Sequence, residues 1–346
     1  MAKRKRKGTK KPAKARSKRV EEVKSRYEIV KDIIVHTRNE YLIHRILDYA
    51  DLHIIPQSVS LFSSLLSNLT PATSNFTKKE GVRVGRALYD IKRRQKHYLL
   101  HEESVADLIQ FFERTGHNRL TYSIFPDKFT LNIFDMHKEY IGMKVHQFEA
   151  GVISGFLSAS KGSHVEVEEQ SCSSDGNGNC TFTTVYNKAE DQTKNAKRAI
   201  RLFADHIIKE ATKEESVYKI KEAPAYYALS SSTIASRRYQ KEMKHIAAFI
   251  GSEIASGIFP EPKKTGSDYL RRLQRAIELT SPGKPSVKSL KPIKIDVRFD
   301  ALHSNSELIE ITGALLNGML KYYTTPGTKL TKVHTNKGYT IRIQGK

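Results

Sequence analysis

HQFEAGVISGFLSASKGSHVEVEEQSCSSDGNGNCTF, residues 146–182, is the stretch that decides the fold of this chain. Its first part, Phe148–Ser160, has the spacing of a helix and is followed by Gly162, a residue type that commonly ends helices. Gly151 and Gly155 lie four residues apart and therefore share one helix face, where another backbone can approach closely. This part predicts a helix that packs against a neighbouring element.

The second part of the stretch predicts a β-hairpin. His164–Glu168 alternates polar and apolar residues as a strand does, and Cys180–Tyr186 returns as its partner. The connection between them, residues 173–179, consists of turn formers, as expected at the tip of a hairpin.

The two cysteines of the chain, Cys172 and Cys180, fall on opposite sides of this tip. Two thiolates across a tight hairpin, with a carboxylate nearby, are suited to a closed structural zinc site. Two alternatives stay open at this point, namely a pair of free buried cysteines and a disulfide across the hairpin. With only two cysteines, a disulfide-stabilised scaffold is excluded.

Upstream, a basic helix is predicted from Lys78 to His97, with Gly81 and Gly85 again four residues apart. A second helix from Glu103 to Arg114 leads into two alternating segments, 120–124 and 129–134, that predict strands.

The second half of the chain repeats this pattern at low identity. Gly81–Leu88 aligns with Gly251–Ile258 and Asp107–Phe112 aligns with Asp268–Leu273. The strand 128–134 corresponds to 293–299, Gly155 to Gly318, and the closing hairpin to 329–343. A repeat of this length is a whole domain, and the second hairpin contains no cysteine.

The chain resembles the 4-vinyl-reductase domain family, small-molecule-binding modules related to the TRAPP vesicle-tethering subunits. The resemblance rests on the two glycine helices and on the hairpin with an acidic residue three positions before its first cysteine. It implies an α+β fold of two tandem helix-plus-antiparallel-sheet modules in a pseudo-twofold arrangement, the second copy degenerate.

The resemblance also implies a zinc site. In members that serve as sensory domains, zinc is bound by the hairpin cysteines, the acidic residue and an upstream ligand. Those positions here are Cys172, Cys180, Glu169 and His146. The upstream ligand is usually a cysteine in that family, but imidazole also suits tetrahedral zinc. His164 is the alternative fourth ligand.

A small-molecule cavity between helices and sheet is a further implication. The candidate lining residues are apolar and fall on the predicted helices and strands: Leu88, Phe111, Phe112, Ile124, Phe134 and Phe156. For any one of them, ordinary core packing is the favoured alternative.

Charge indicates the class of partner. The chain has 59 Lys and Arg against 37 Asp and Glu, a formal net charge of +22, so polyanions attract it. The candidate nucleic-acid contacts are basic residues of the first 19 positions and of the first glycine helix: Lys3, Arg4, Lys5, Arg6, Lys7, Lys10, Lys11, Lys14, Arg16, Lys18, Arg19, Arg83, Arg86, Arg93 and Arg94. Solvated surface charge is the alternative for the helix residues.

The predicted organisation is a disordered basic tail (1–19), a helical segment with weak helix-turn-helix character (20–55), a first domain (56–187), a linker helix (188–215) and a second domain (216–346). The tail has almost nothing to bury. No stretch is long and apolar enough for a membrane helix and no secretory signal follows the first charges, which favours a cytoplasmic protein.

We find no phosphate-binding glycine loop, dinucleotide fingerprint or nucleophile elbow in the sequence, and expect no enzymatic activity. The expected function is a nucleic-acid-binding regulator of transcription with a structural zinc ion and an apolar ligand. The alternatives are a ribosome- or RNA-associated factor, a TRAPP-like tethering protein at an anionic membrane, and a small-molecule carrier. A homodimer is possible for any of them.

Overall fold

A computed structural model of the chain describes residues 54–96, 101–115, 117, 119–125, 128–134, 140–185, 195–213, 222–224, 226–259, 266–281, 283–290, 292–299, 306–324, 328–335 and 338–345. The predicted basic tail lies outside these ranges, as does the predicted helical segment 20–55 except for its last two residues. Those two begin a short strand, β1 (Ile54–Pro56).

The first module contains four helices and one four-stranded antiparallel sheet. Its elements are α1 (Gln57–Asn68), α2 (Pro71–Lys96), α3 (His101–Arg114), β2 (Leu120–Ile124), β3 (Phe129–Ile133), α4 (Gln147–Lys161), β4 (Glu166–Ser171) and β5 (Cys180–Val185), with a 3₁₀ turn at Ser173–Asp175. The strands lie in the order β2-β3-β5-β4. Every helix and strand predicted from sequence in this region is present, most of them within two residues of the expected ends.

The elements of the second module are α5 (Ala196–Thr212), β6 (Glu222–Pro224), α6 (Tyr226–Ile258), α7 (Ser267–Thr280), β7 (Lys284–Leu290), β8 (Ile293–Phe299), α8 (Ser306–Met319), β9 (Lys329–Thr335) and β10 (Gly338–Gln344). From its long helix onward, the second module repeats the order of the first; before that helix the order differs, because the short strand β6 follows α5 whereas β1 precedes α1. Its sheet order, β7-β8-β10-β9, repeats that of the first sheet, and β6 pairs with β1. The predicted α+β class is confirmed.

Glycines allow α2 and α4 to touch backbone to backbone. A methyl group added at Gly85 would lie 2.0 Å from the carbonyl oxygen of Val152, and one at Gly155 would lie 2.1 Å from that of Val82. No side chain fits at such a distance, so the glycine spacing fixes where these helices cross.

The equivalent helices of the second module, α6 and α8, also cross through glycines, but the predicted correspondence is wrong by one helical turn. An added methyl at Gly251 would meet the Leu315 carbonyl at 2.2 Å, and one at Gly318 would meet the Ala248 carbonyl at 2.0 Å. With Gly318 matched to Gly155, Gly251 therefore corresponds to Gly85 and not to Gly81. Small residues recur every four positions in both helices, so the sequence is compatible with either register.

Helices of the two modules contact each other. Phe62 of α1 stacks on Phe203 of α5 with ring centroids 5.7 Å apart, and Phe76 of α2 meets Tyr239 of α6 edge-on at 5.5 Å. The contact between the equivalent helices α2 and α6 is what a pseudo-twofold pairing requires. Each aromatic pair contributes about 1 kcal/mol beyond the area it buries.

Helix α5 falls within the range predicted as a linker, yet it packs as a core element. Its side chains Ala199, Ile200, Phe203, Ala204 and Ile207 are buried and join the same core as the other helices.

In the part of the chain that the structure describes, every helix is too short or too polar to cross a membrane.

Candidate metal centre

Four potential metal donors converge beneath the hairpin of the first module. His146 immediately precedes α4, Glu169 lies on β4, Cys172 follows β4, and Cys180 begins β5. The 3₁₀ turn at Ser173–Asp175 reverses the chain so that the two cysteines face each other. All four side chains are buried, and their donor atoms lie within 4.8 Å of one another.

The distances between donors are close to those of a tetrahedral site. The two Sγ atoms are 3.9 Å apart, and His146 Nδ1 lies 3.4 Å from Cys172 Sγ and 3.7 Å from Cys180 Sγ. Zinc bonds of about 2.3 Å to sulfur and about 2.0 Å to nitrogen give tetrahedral edges of about 3.8 and 3.5 Å. The spacing of the two sulfurs and His146 Nδ1 therefore fits three ligands of a tetrahedral metal ion, with the Glu169 carboxylate as the fourth donor of the cluster.

Glu169 is bound to the same histidine. Its Oε1 lies 2.7 Å from His146 Nδ1, and its Oε2 accepts a hydrogen bond of 3.1 Å from the His146 backbone N–H. These two contacts connect β4 to the start of α4, which holds the carboxylate and the imidazole on the same side of the cysteines.

Without a metal ion, the electrostatics of the centre favour the deprotonated forms of Cys180 and Glu169 and the protonated forms of Cys172 and His146. A hydrogen bond from Cys172, aided by the charge of His146, lowers the pKa of Cys180 to about 5 despite burial. Burial raises the pKa of Cys172. Burial disfavours the charged forms of both His146 and Glu169. Nevertheless, Cys180 and Glu169 raise the pKa of His146, and His146 lowers the pKa of Glu169. A metal cation would replace the proton of His146 and draw out the second thiol proton.

The surrounding protein supports the donors. The Ser173 backbone N–H and hydroxyl lie 3.4 and 3.2 Å from Cys180 Sγ, and the buried Asn68 amide donates to the Val145 carbonyl at 2.7 Å. The first contact stabilises a thiolate, and the second fixes the backbone directly before His146. Hydrogen bonds of this kind, made to the ligands and to the backbone beside them, orient ligands in metal sites.

Two further buried titratable groups lie close to the centre. Burial and the charge of His146 lower the pKa of His117 to about 3, and burial raises the pKa of Glu149 to about 7. Sequence reasoning missed Asn68, His117, Glu149 and Ser173 as parts of this region. Their residue types are common elsewhere in the chain, and only the packing of α1, α3 and α4 brings them together.

The structure excludes a disulfide between the cysteines and shows which histidine lies beside them. A separation of 3.9 Å between the sulfurs excludes a disulfide, whose bond is about 2.05 Å. His164 does not join the cluster, because its side chain is three-quarters exposed and its Nε2 lies 3.4 Å from Glu166 Oε2. His146 is the histidine of the centre.

The other predicted site residues lie apart from this centre. Of the candidate cavity residues, Leu88, Phe111, Phe112 and Phe156 are buried in the core, and Ile124 packs against it. Phe134 is partly exposed, with the Arg119 guanidinium 5.5 Å from its ring centre.

The four helix residues predicted to contact nucleic acid are Arg83, Arg86, Arg93 and Arg94. They are all exposed on α2, and Arg83 forms an ion pair of 2.8 Å with Glu80. The eleven predicted tail residues lie outside the described ranges.

Comparison with known proteins adds one finding. The model of the V4R domain family matches residues 131–185, the segment that contains all four donors. The match does not extend to the second module, so it gives no support to a second copy of this family. No curated protein matches the chain at a significant level. A V4R domain is therefore detected at residues 131–185, and it includes the metal-ligand cluster.

Proposed function

We propose that this chain is a non-enzymatic nucleic-acid-binding protein whose first module is stabilised by a structural zinc ion. The observation that carries the zinc part of the proposal is the buried cluster of His146, Glu169, Cys172 and Cys180 within the V4R domain; the nucleic-acid part rests on charge. Four protein donors complete a tetrahedral coordination sphere, whereas a catalytic zinc keeps one position for water or substrate. The arrangement thus favours stabilisation over catalysis.

The choice of zinc follows from the donors. Two thiolates and an imidazole select a borderline-soft divalent ion, while magnesium and calcium prefer oxygen ligands. Because the four donors come from separated parts of the chain, binding would connect the hairpin to the start of α4 and add directly to folding stability.

Charge supports nucleic acid as the partner. The first 19 residues carry 11 Lys and Arg and no acid, which is half of the net charge of +22, and Arg86, Arg93 and Arg94 are exposed on α2. Phosphate contacts of this kind depend strongly on salt and little on sequence. We propose a role in transcription or in an RNA-containing complex, in the cytoplasm.

A ligand-sensing role is the finer part of the proposal. The matching topology of the two modules suggests duplication of one ancestral binding domain, with the second copy degenerate. An apolar ligand would lie among Leu88, Phe112 and Phe156, which are closely packed in the structure, so these side chains would have to separate. Native mass spectrometry of the purified protein tests whether an apolar compound is retained.

A salt series of binding to duplex DNA, structured RNA and anionic liposomes tests the main proposal, with full-length protein and a deletion of residues 1–19. The proposal expects one nucleic acid to bind both proteins, with a less steep salt dependence after the deletion. Loss of all nucleic-acid binding with the tail, or preferential binding to liposomes, would contradict it and favour a tethering protein.

A further inference from the structure

The outward face of the second sheet is strongly basic. Along β8, Ile293, Ile295 and Val297 are buried, so the residues between them point away from the helices. On β10, Ile341 and Ile343 are buried in the same way. This alternation directs exposed cations of β8 and β10 outward, and the flanking strands β7 and β9 add more. We call this set the basic sheet face: Lys284, Lys288, Lys294, Arg298, Lys329 and Arg342.

The register of the sheet places these cations in ordered rows. Lys284 of β7 lies opposite Arg298 of β8, and at the other end Lys294 and Lys329 flank Gln344 on β10. These two rows are four residues apart along the strands, or about 13 Å. Between them Arg342 lies opposite Asp296.

Acidic side chains offset little of this charge. Asp296, the acid of this face among the described residues, accepts from Arg342 at 2.9 Å and lies 3.8 Å from Lys288. Within the described ranges, Lys284, Lys294, Arg298 and Lys329 form no ion pair. Six cations against one acid leave this small rigid surface with a large positive potential.

The fold itself does not require a basic face. The same positions on the two central strands of the first sheet hold Thr130, Asn132, Thr181 and Thr183, which hydrogen-bond one another, for example Thr181 Oγ1 to Asn132 Oδ1 at 2.8 Å and Thr130 to Thr183 at 3.2 Å. Two modules of the same topology therefore differ in charge at matching positions. Of these two sheets, only that of the second module has a basic outward face.

We propose that the basic sheet face binds the phosphate backbone of nucleic acid; this inference rests on the nucleic-acid-binding function proposed above and assigns it a surface. Among the described residues of β7, β8, β9 and β10, the outward positions hold no aromatic side chain, so bases have no platform on which to stack. Lysine and arginine in fixed rows contact phosphates, which gives affinity without sequence preference. Val333, at the edge strand, is the one partly exposed apolar residue of this face, which leaves little to insert into a lipid bilayer.

The test compares two variants of the full chain with equal loss of charge. The first replaces the four cations without ion pairs: Lys284→Gln, Lys294→Gln, Arg298→Gln and Lys329→Gln. The control replaces four exposed cations elsewhere: Lys197→Gln, Arg198→Gln, Arg201→Gln and Lys241→Gln. Binding to a fluorescent 20-base-pair duplex DNA, to a structured RNA and to phosphatidylserine vesicles is measured against salt, and circular dichroism confirms that both variants fold.

We expect the face variant to lose at least tenfold in affinity for nucleic acid and to lower the log–log salt slope by about 3, since each phosphate contact contributes about 0.9. The control should change the slope by less than about 1. Equal losses in the two variants would overturn the assignment of this face while leaving nucleic-acid binding intact. If wild-type protein binds neither DNA nor RNA, the proposed function itself fails. If only vesicle binding depends on the face, the partner is an anionic membrane and the inference is wrong.

Discussion

Replacing Gly85 with alanine tests the helix crossing on which the first module depends. The added methyl would lie 2.0 Å from the Val152 carbonyl oxygen and 2.7 Å from the Phe156 nitrogen. To restore ordinary contact at about 3.5 Å, α2 and α4 must separate locally by roughly 1.5 Å.

The magnitude follows from two opposing effects. Alanine improves helix propensity by about 1 kcal/mol, whereas overpacking a well-packed interior costs about 1–3 kcal/mol, occasionally more. Because the clash is with backbone and not with a flexible side chain, we expect the upper part of this range, or a net loss of about 2 kcal/mol.

Gly313→Ala provides the matched control. Gly313 lies in α8 of the second module, where an added methyl meets only the Leu330 side chain, at 3.8 Å. This variant should gain up to about 1 kcal/mol from helix propensity. In thermal melts followed by far-ultraviolet circular dichroism, Gly85→Ala should lower Tm by about 3 °C and Gly313→Ala should raise it by about 1 °C. A Gly85→Ala protein as stable as Gly313→Ala would refute the backbone contact between α2 and α4.

The remaining predictions concern the metal centre and the tail. Between pH 4.5 and about 7 the Glu149 carboxyl stays neutral in the folded chain but ionises in the unfolded chain, so its contribution to stability falls as pH rises. Glu149→Gln removes that loss. In urea titrations, the free energy of unfolding of the variant minus that of the wild type should be larger at pH 8 than at pH 5, by up to about 3 kcal/mol. A difference that does not change with pH would contradict this. Metal analysis should find zinc lost in His146→Gln and retained in His164→Gln, and the opposite pattern would reassign the fourth ligand. A strong chelator should lower Tm in wild type but not in His146→Gln, and an effect of equal size in both would mean that the chelator acts elsewhere. Deleting residues 1–19 should leave Tm unchanged, since these residues have almost nothing to bury, and a fall in Tm would show that they pack on the modules.

Much of the fold follows from the sequence because periodicity and turn chemistry are local. The spacing of apolar residues predicts α4 and the strand β2, and turn formers locate the hairpin tip at residues 173–179. The register between the repeats could not be obtained in this way. Ala247, Gly251 and Ala255 are small residues at successive turns, so only the packing of α6 on α8 determines which of them matches Gly85.

The residues of the metal centre also differ in how far local sequence patterns predict them. Cys172 and Cys180 belong to one hairpin, which by itself predicts two thiolate ligands with a carboxylate nearby. Glu169 and His146, which are 23 positions apart, are identified as ligands only through the family resemblance. The support from Asn68 depends on the position of α1, which local patterns do not give. Long-range packing is therefore the part that the sequence alone left undetermined.

The zinc content of the untagged full chain, purified without added metal, tests the central claim most directly. Inductively coupled plasma mass spectrometry should find about one zinc ion per chain in the wild type. A Cys172→Ser, Cys180→Ser double variant, which removes both thiolates, should have almost none. Less than about half a zinc ion per wild-type chain, or equal zinc in the double variant, would contradict the proposal that this cluster is a structural zinc site.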